Sequence, residues 1–370
     1  MISAVALVSS GLDSILAAKI VSDQSVRIRG VLFYFIFDNL YYKIKNEEID
    51  RILHSLNIPI DYIDITESMV QLLQSEPEHG FGKGINPCID CHIIMLKNAY
   101  KIMKKTGADF LITGEVAGQR PMSQKETVLR HIDKSTDLKG LILRPLSAKL
   151  LEETIPEKNG WVDREKLYDI AGRSRKRQIK LAEKLGIKKY GTPAGGCILT
   201  DPEFSKRVKL FREKRGKENI SKEELILMRL GRYFWLKDNL QVVVGRNEKE
   251  NELLESFSRG RWVFRTVTEP GPLVLALGIE EKEDIRLTGS LVSRYCTKKQ
   301  SETVKVKYEN KDEGVSGFLD AVPVSEEKLE EWRLLMFVRK KSRTTMAKIP
   351  PYSAADETFL IAFLMYCELS

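Results

Sequence analysis

Residues 4–14 read Ala4-Val5-Ala6-Leu7-Val8-Ser9-Ser10-Gly11-Leu12-Asp13-Ser14 and run directly into Ile15-Leu16-Ala17-Ala18-Lys19-Ile20. An apolar run, a turn of small residues and a helix-forming stretch, in that order, predict a strand, a tight turn and a helix start. Small side chains let backbone N–H groups approach an anion, and the first helical turn adds unpaired donors and the positive end of the helix dipole. The stretch therefore reads as a phosphate cradle. No Gly-Lys-Ser/Thr follows, which argues against a kinase-type loop. The plain alternative is a buried strand followed by a helix capped by Asp13 or Ser14.

Working outward, residues 1–150 alternate strand-like runs (4–8, 26–37, 60–65, 110–113, 141–143) with helical patterns (45–56, 67–74, 91–106). That order predicts a parallel sheet covered by helices, an α/β fold. The run 108–112 ends in Thr113-Gly114, where a strand hands over to a loop at the sheet edge that binds ligands in open α/β folds. Gly114 and Gly118 leave room there, and Glu115, Gln119 and Arg120 are placed to meet nucleotide or RNA. Glycines 80, 82 and 84 make the segment 76–87 a flexible loop able to close over such a site.

Three cysteines supply a second signal. Cys88 and Cys91 lie in Asn86-Pro87-Cys88-Ile89-Asp90-Cys91-His92, and Cys197 follows Gly195-Gly196. A Cys-x-x-Cys at the mouth of a helix brings two thiols within reach of one metal or one disulfide, and a helix N-terminus lowers thiol pKa. His92 would point about 100° away from Cys91 on a helix, so a closed four-ligand zinc site lacks its last partner. Three sulfurs fit either an iron–sulfur cluster with one open iron or a catalytic dithiol with a third thiol. Cys296 and Cys367 stand alone, as buried structural cysteines do.

The loop at residues 9–14 resembles the Ser-Gly-Gly-x-Asp-Ser loop of the ATP pyrophosphatase (PP-loop) enzymes, with Ser10 at the first loop glycine. If that position needs a positive φ, serine would be strained there. Thr113-Gly114-Glu115-Val116-Ala117-Gly118-Gln119 resembles the Thr-Gly-Glu-x-x-Gly-Gln segment of the tRNA 4-thiouridine synthetases, and Leu143-Arg144-Pro145-Leu146 their Arg-Pro-Leu element. The three cysteines are similar to those of iron–sulfur members of that group and of related tRNA 2-thiouridylases. The resemblance covers roughly residues 1–200. It implies an adenine-nucleotide alpha-hydrolase-like domain that binds ATP through Ser9, Ser10, Gly11, Leu12, Asp13, Ser14, Gly114 and Gln119. It also implies Mg²⁺ near Asp13, and a 4Fe–4S cluster on Cys88, Cys91 and Cys197, which with Asp13 would be catalytic. Val242-Val243-Val244-Gly245-Arg246-Asn247 bears a weaker likeness to small modules linked with RNA binding.

Composition sets outer limits. The 370 residues are 42% hydrophobic, enough for two or three buried cores. No stretch approaches the ~18 apolar residues of a membrane span, and the start lacks a secretory pattern. A cytoplasmic protein without a membrane partner is expected. Five cysteines without regular spacing do not form a secreted disulfide framework. The net charge of +8 has a focus in residues 172–189, where Arg173, Arg175, Lys176, Arg177, Lys180, Lys184, Lys188 and Lys189 face only Glu183. Such a strip neutralises phosphates; its plain alternative is a solvated helix face. A second basic strip holds Arg339, Lys340, Lys341, Arg343 and Lys348.

Texture divides the chain into a catalytic domain at 1–200, a small α+β or β-rich module at 201–280 and an accessory α+β region at 281–370. Residues 202–230 read as one charged helical stretch, 303–308 as a half-exposed strand, and 325–336 as a helix. The expected activity is an ATP-dependent tRNA sulfurtransferase that adenylates a uridine carbonyl oxygen and replaces it with sulfur, 4-thiouridine being favoured. Its partners are tRNA and an external sulfur donor, either sulfide or a persulfide carrier, and a homodimer is compatible. The competing readings are a tRNA 2-thiouridylase working through a persulfide, a PP-loop enzyme that thiolates or amidates a small molecule, and a zinc-stabilised RNA-binding protein.

Overall fold

The computed structural model describes residues 1–38, 47–188, 190, 196–297 and 303–334. Lys189, residues 191–195, residues 339–348 and Cys367 lie outside them. The chain folds as two compact units, Met1–Ser205 and Lys206–Ser370.

The first unit runs β1 (Ser3–Leu7), α1 (Leu12–Ser22), β2 (Arg27–Tyr34), α2 (Glu47–Ser55), β3 (Ile60–Asp64), α3 (Thr66–Gln74), α4 (Cys88–Thr106), β4 (Phe110–Ile112), α5 (Glu126–Ser135), β5 (Ile142–Leu143), α6 (Ile155–Lys158) and α7 (Lys176–Lys184). The five strands are parallel in the order β3-β2-β1-β4-β5. β1 is central, and its unbroken apolar run reflects cover on both faces. Ala4, Ala6 and Val8 pack with α1 and with Leu181 and Ala182 of α7. Val5, Val31 and Leu111 pack on the opposite face with Leu96, Ala99 and Met103 of α4 and Ile132 of α5. The strand order reverses between β1 and β4, which opens a crevice at their carboxyl ends. That crevice receives the 9–14 loop and the 113–119 loop.

The second unit continues α8 (Pro202–Arg215), which crosses the boundary, α9 (Lys222–Arg229), β6 (Arg232–Trp235), β7 (Gln241–Val244), α10 (Glu248–Glu255), β8 (Trp262–Thr266), β9 (Val274–Leu277), α11 (Lys282–Tyr295), β10 (Val304–Asn310), β11 (Val315–Ala321) and α12 (Glu326–Leu334). Its six strands form one antiparallel sheet, β11-β10-β8-β9-β7-β6. Strands on either side of residue 280 therefore share a sheet, through the β8–β10 pairing. Phe234, Val242, Val244 and Phe264 meet Leu291 and Val292 of α11 and Leu329 and Trp332 of α12 in the core. The charged stretch 202–230 is two helices rather than one. Gly216, at φ 86°, ends the first, and Ser221 caps the second by accepting from the Glu224 amide.

Candidate active site

No side chain caps α1 at Gly11, so its first-turn amides stay available to an anion. The loop before it is braced from within. Ser14 Oγ accepts from the Ser9 amide at 3.0 Å and donates to the Gly11 carbonyl at 2.9 Å, while Ser9 Oγ accepts from the Gly11 amide at 3.1 Å. Ser10 is exposed and does not adopt a positive φ, so serine replaces glycine there without backbone strain. Leu12 turns its side chain into the core.

Gly114 shows why this crevice needs a bare backbone. A Cβ at that position would lie 2.5 Å from the Ser14 nitrogen and Cα, so the loop after β4 rests directly on the start of α1. Ser9, Gly11, Asp13, Ser14, Gly114, Gln119, Arg120 and Arg175 line one cavity of about 280 Å³, joined by His92 of α4. A larger cavity of about 510 Å³, bordered by Arg130, Lys139 and Glu153, contains none of the loop residues. The smaller one is the candidate site because the helix start, the switch point and the unpartnered carboxylate oxygen described next coincide there.

Asp13 is held through one oxygen. Gln178, fully buried on α7, donates to Gln119 Oε1 at 2.9 Å; Gln119 donates to Asp13 Oδ2 at 2.6 Å; and Arg175 lies 3.5 Å from the same oxygen. Asp13 Oδ1 is buried without a hydrogen-bond partner. An orphaned buried acceptor costs about 1–3 kcal/mol. A hard cation such as Mg²⁺, which takes carboxylate oxygen, fits that atom.

Glu115 also borders this cavity, but its carboxylate is engaged from within the protein. It is buried, accepts from Arg144 Nε at 2.9 Å, and lies 2.8 Å from His92 Nδ1. Arg144 also grips both oxygens of Asp133 on α5, at 2.9 and 2.7 Å. Burial alone would raise the Glu115 carboxyl, but Arg144 and the His92 hydrogen bond outweigh it and hold the pKa at about 2. The Arg-Pro-Leu element thus acts as a buried clamp joining β5, the 113–119 loop and α5.

The cysteines converge through backbone ties. Ile85 donates its amide to the Leu199 carbonyl at 3.0 Å, and Ile198 donates to Asp38 Oδ1 at 2.7 Å. These bonds bring the 197–199 segment to the start of α4 and to the end of the β2 strand. Gly84 and Gly82 serve this close approach: a Cβ would lie 2.4 Å from the Leu199 carbonyl oxygen in one case and 2.4 Å from Asn86 Nδ2 in the other. The segment expected to be a flexible lid is thereby pinned, with Ile85 and Asn86 buried. Asn86 Nδ2 donates to Cys88 Sγ at 3.0 Å.

Cys88 and Cys91 sit within the first turn of α4, and Cys88, Cys91 and Cys197 are all free and half-buried. The lowered thiol pKa expected of a helix start is not found at Cys91. Burial, then Cys88, Asp38 and Asp90, push that thiol up to about 12. Cys197 is raised too, by burial and Asp38 first and also by Cys91 and Cys88. The thiols sense one another, yet their sulfurs do not all lie within 4.8 Å of one another. A tetrahedral zinc would need sulfurs about 3.8 Å apart, whereas an iron–sulfur cluster spreads its thiolates over separate irons. A cationic cluster would also relieve the crowding of potential negative charge. None of the three lines the 280 Å³ cavity, but His92, next after Cys91, does.

Of the basic residues, Arg173, Lys176, Arg177, Lys180, Lys184 and Lys188 are exposed. Arg177 pairs with Asp169, and Arg175 turns inward to Asp13. Gln178 and Arg144 join the site without having been expected there. Gln178 carries no signal in the sequence, being one polar residue inside a charged run. Cys296 is half-buried and packs against the core of the second unit. Among the described residues, no helix is long and apolar enough to cross a membrane.

Comparison with known proteins gives two family matches. Residues 3–185 match the model described as tRNA methyl transferase HUP domain, and residues 231–333 that described as NFACT protein RNA binding domain. No curated protein sequence matches the chain. Similar solved structures include a 4-thiouridine synthetase in complex with RNA and ATP, at 20% identity and TM-score 0.33, covering 50% of this chain and 51% of that one. The chain thus spans about half the length of that synthetase. Others are a predicted tRNA methyltransferase subunit from Methanocaldococcus jannaschii (15% identity, TM-score 0.29, covering 60% and 91%) and the C-terminal part of a fibronectin/fibrinogen-binding protein from Streptococcus suis (15%, 0.25, covering 65% and 98%). With TM-scores this low, the weight rests on the two family matches.

Proposed function

From an N-terminal unit matching the tRNA methyl transferase HUP domain, followed by a unit matching an RNA-binding domain, we propose that the chain is a tRNA-modifying PP-loop enzyme, an ATP-dependent tRNA sulfurtransferase that makes 4-thiouridine. The observation that carries the reading is α4, which bears Cys88 and Cys91 in its first turn and places His92 in the wall of the cavity shared by Ser9, Asp13 and Gln119. Sulfur and nucleotide chemistry would meet at one helix start.

The first-turn amides of α1 and the Ser9 and Ser14 hydroxyls would receive the phosphates, and Asp13 Oδ1 would hold Mg²⁺. Arg175 adds positive charge where the leaving pyrophosphate gathers negative charge. The uridine carbonyl oxygen attacks the α-phosphorus, the bond to the bridging oxygen breaks, and pyrophosphate leaves. Hydrosulfide then adds at the activated carbon, and AMP departs with the electron pair of the C–O bond. Cys88, Cys91 and Cys197 would hold a cluster that, when bound, supplies an open iron for the hydrosulfide. Arg173, Lys176 and Lys180 would meet tRNA phosphates.

The test is to incubate the full chain, purified without oxygen, with ATP, Mg²⁺, sulfide and unmodified tRNA, and to analyse the digested nucleosides by mass spectrometry and chromatography. The expected result is 4-thiouridine, with AMP and pyrophosphate released. Release of ADP, a 2-thiouridine product, or full activity in Cys197→Ala would overturn the proposal.

A further inference from the structure

We propose that Glu78, His79 and His131 form a binding site for a divalent transition metal, zinc by its donor set, separate in its ligands from the three cysteines. His79 lies on the segment after α3, and His131 on α5. The His79 ring is fixed by Asp90: its Nδ1 is 3.0 Å from Asp90 Oδ1, and its amide donates to Asp90 Oδ2 at 3.3 Å. Asp90 is itself buried. A carboxylate on Nδ1 keeps the proton there and leaves Nε2 with its lone pair free to bind a metal, the arrangement that orients metal-binding histidines in proteins.

That Nε2 points at His131 Nε2, 2.6 Å away, with the rings edge to face at 4.8 Å between centroids. Two imidazole nitrogens so close must either share one proton or ligate one cation. The ligand atoms of Glu78, His79 and Asp90 all lie within 4.8 Å of one another, a group that does not include His131, so the exposed Glu78 side chain would have to rotate toward the two rings to serve as a third ligand. Two imidazoles, one carboxylate and a water match tetrahedral zinc. Zn–N bonds of ordinary length set the two nitrogens about 3.3 Å apart, so His131 would withdraw slightly, which its exposed side chain permits. Because Asp90 stands between Cys88 and Cys91, a bound ion would fix the turn that presents both thiols.

The test uses the full-length chain, stripped with chelator and titrated with Co²⁺ and then Zn²⁺. In the chain carrying Cys88→Ala, Cys91→Ala and Cys197→Ala, one equivalent of Co²⁺ is expected to bind with tetrahedral visible absorption and without the near-ultraviolet thiolate band. His131→Ala in that background weakens it about 100-fold. Should the triple variant fail to fold, His131→Ala and Glu78→Gln in the otherwise unchanged chain decide by stoichiometry, with one zinc fewer than the parent expected for His131→Ala. Equal stoichiometry and affinity in His131→Ala and its parent would mean that the two rings only share a proton, and would overturn the site. None of these readouts depends on thiolation activity, so they stand or fall apart from the proposed function.

Discussion

Asp13 is divided against itself: one oxygen is committed to Gln119 and Arg175, the other is buried with nothing to accept. Asp13→Asn keeps the size and removes the charge. It is expected to lower ATP-dependent turnover on the order of 100-fold with the thermal midpoint unchanged or raised, measured by AMP release beside a melting curve. Glu115 makes the opposite prediction. Its folded pKa of about 2 lies below the ordinary value of 4.5, so its stabilisation is present above pH 4.5 and disappears as pH falls toward 2. The full effect is on the order of 3 kcal/mol. Glu115→Gln should lose stability at neutral pH, because Arg144 is left buried with an uncompensated charge, and should flatten the urea-unfolding midpoint against pH between 4.5 and 2. An unchanged acid limb would show that the clamp contributes little. The Thr-Gly-Glu motif is visible in sequence, but the clamp on its glutamate is not, because its partner Arg144 is 29 residues away.

At the scale of elements, α7 separates charges that look equivalent in sequence. Lys176 and Lys180 lie one helical turn apart on the exposed face, while Arg177 is engaged with Asp169. Lys176→Glu with Lys180→Glu is expected to weaken tRNA binding and to reduce the slope of log affinity against log salt by about 1 for each phosphate no longer neutralised. Arg177→Ala should leave that slope nearly unchanged; filter binding across a salt series distinguishes them. Elements dictated by local pattern are legible: β1 by its apolar run, α1 by the turn before it, and the parallel sheet by alternation. The break at Gly216 and the helices α10 and α11 are not, since charged residues hide a helix whose stability comes from packing on a distant sheet. The thiol pKa departs from expectation for the same reason. A helix start lowers it locally, but burial dominates, and Cys88 and then Asp38, which arrives from elsewhere in the chain, raise it further.

For the whole molecule, each unit carries its own core, and the two match different families. A chain ending at residue 201 is expected to keep ATP-induced thermal stabilisation and to lose most of its tRNA affinity. Calorimetry and RNA gel shifts measure the two independently, and loss of both together would mean that the units do not work separately. The three-cysteine pattern is readable as a motif from sequence, whereas what gathers it is not, because its ties are made by main-chain amides to partners far along the chain. Ile85 to Leu199 and Ile198 to Asp38 hold the thiol segments without using any sulfur. If the proposed cluster is bound there, a nest woven from amides and one carboxylate would keep its shape when oxygen strips the contents, and the emptied chain could be recharged rather than discarded.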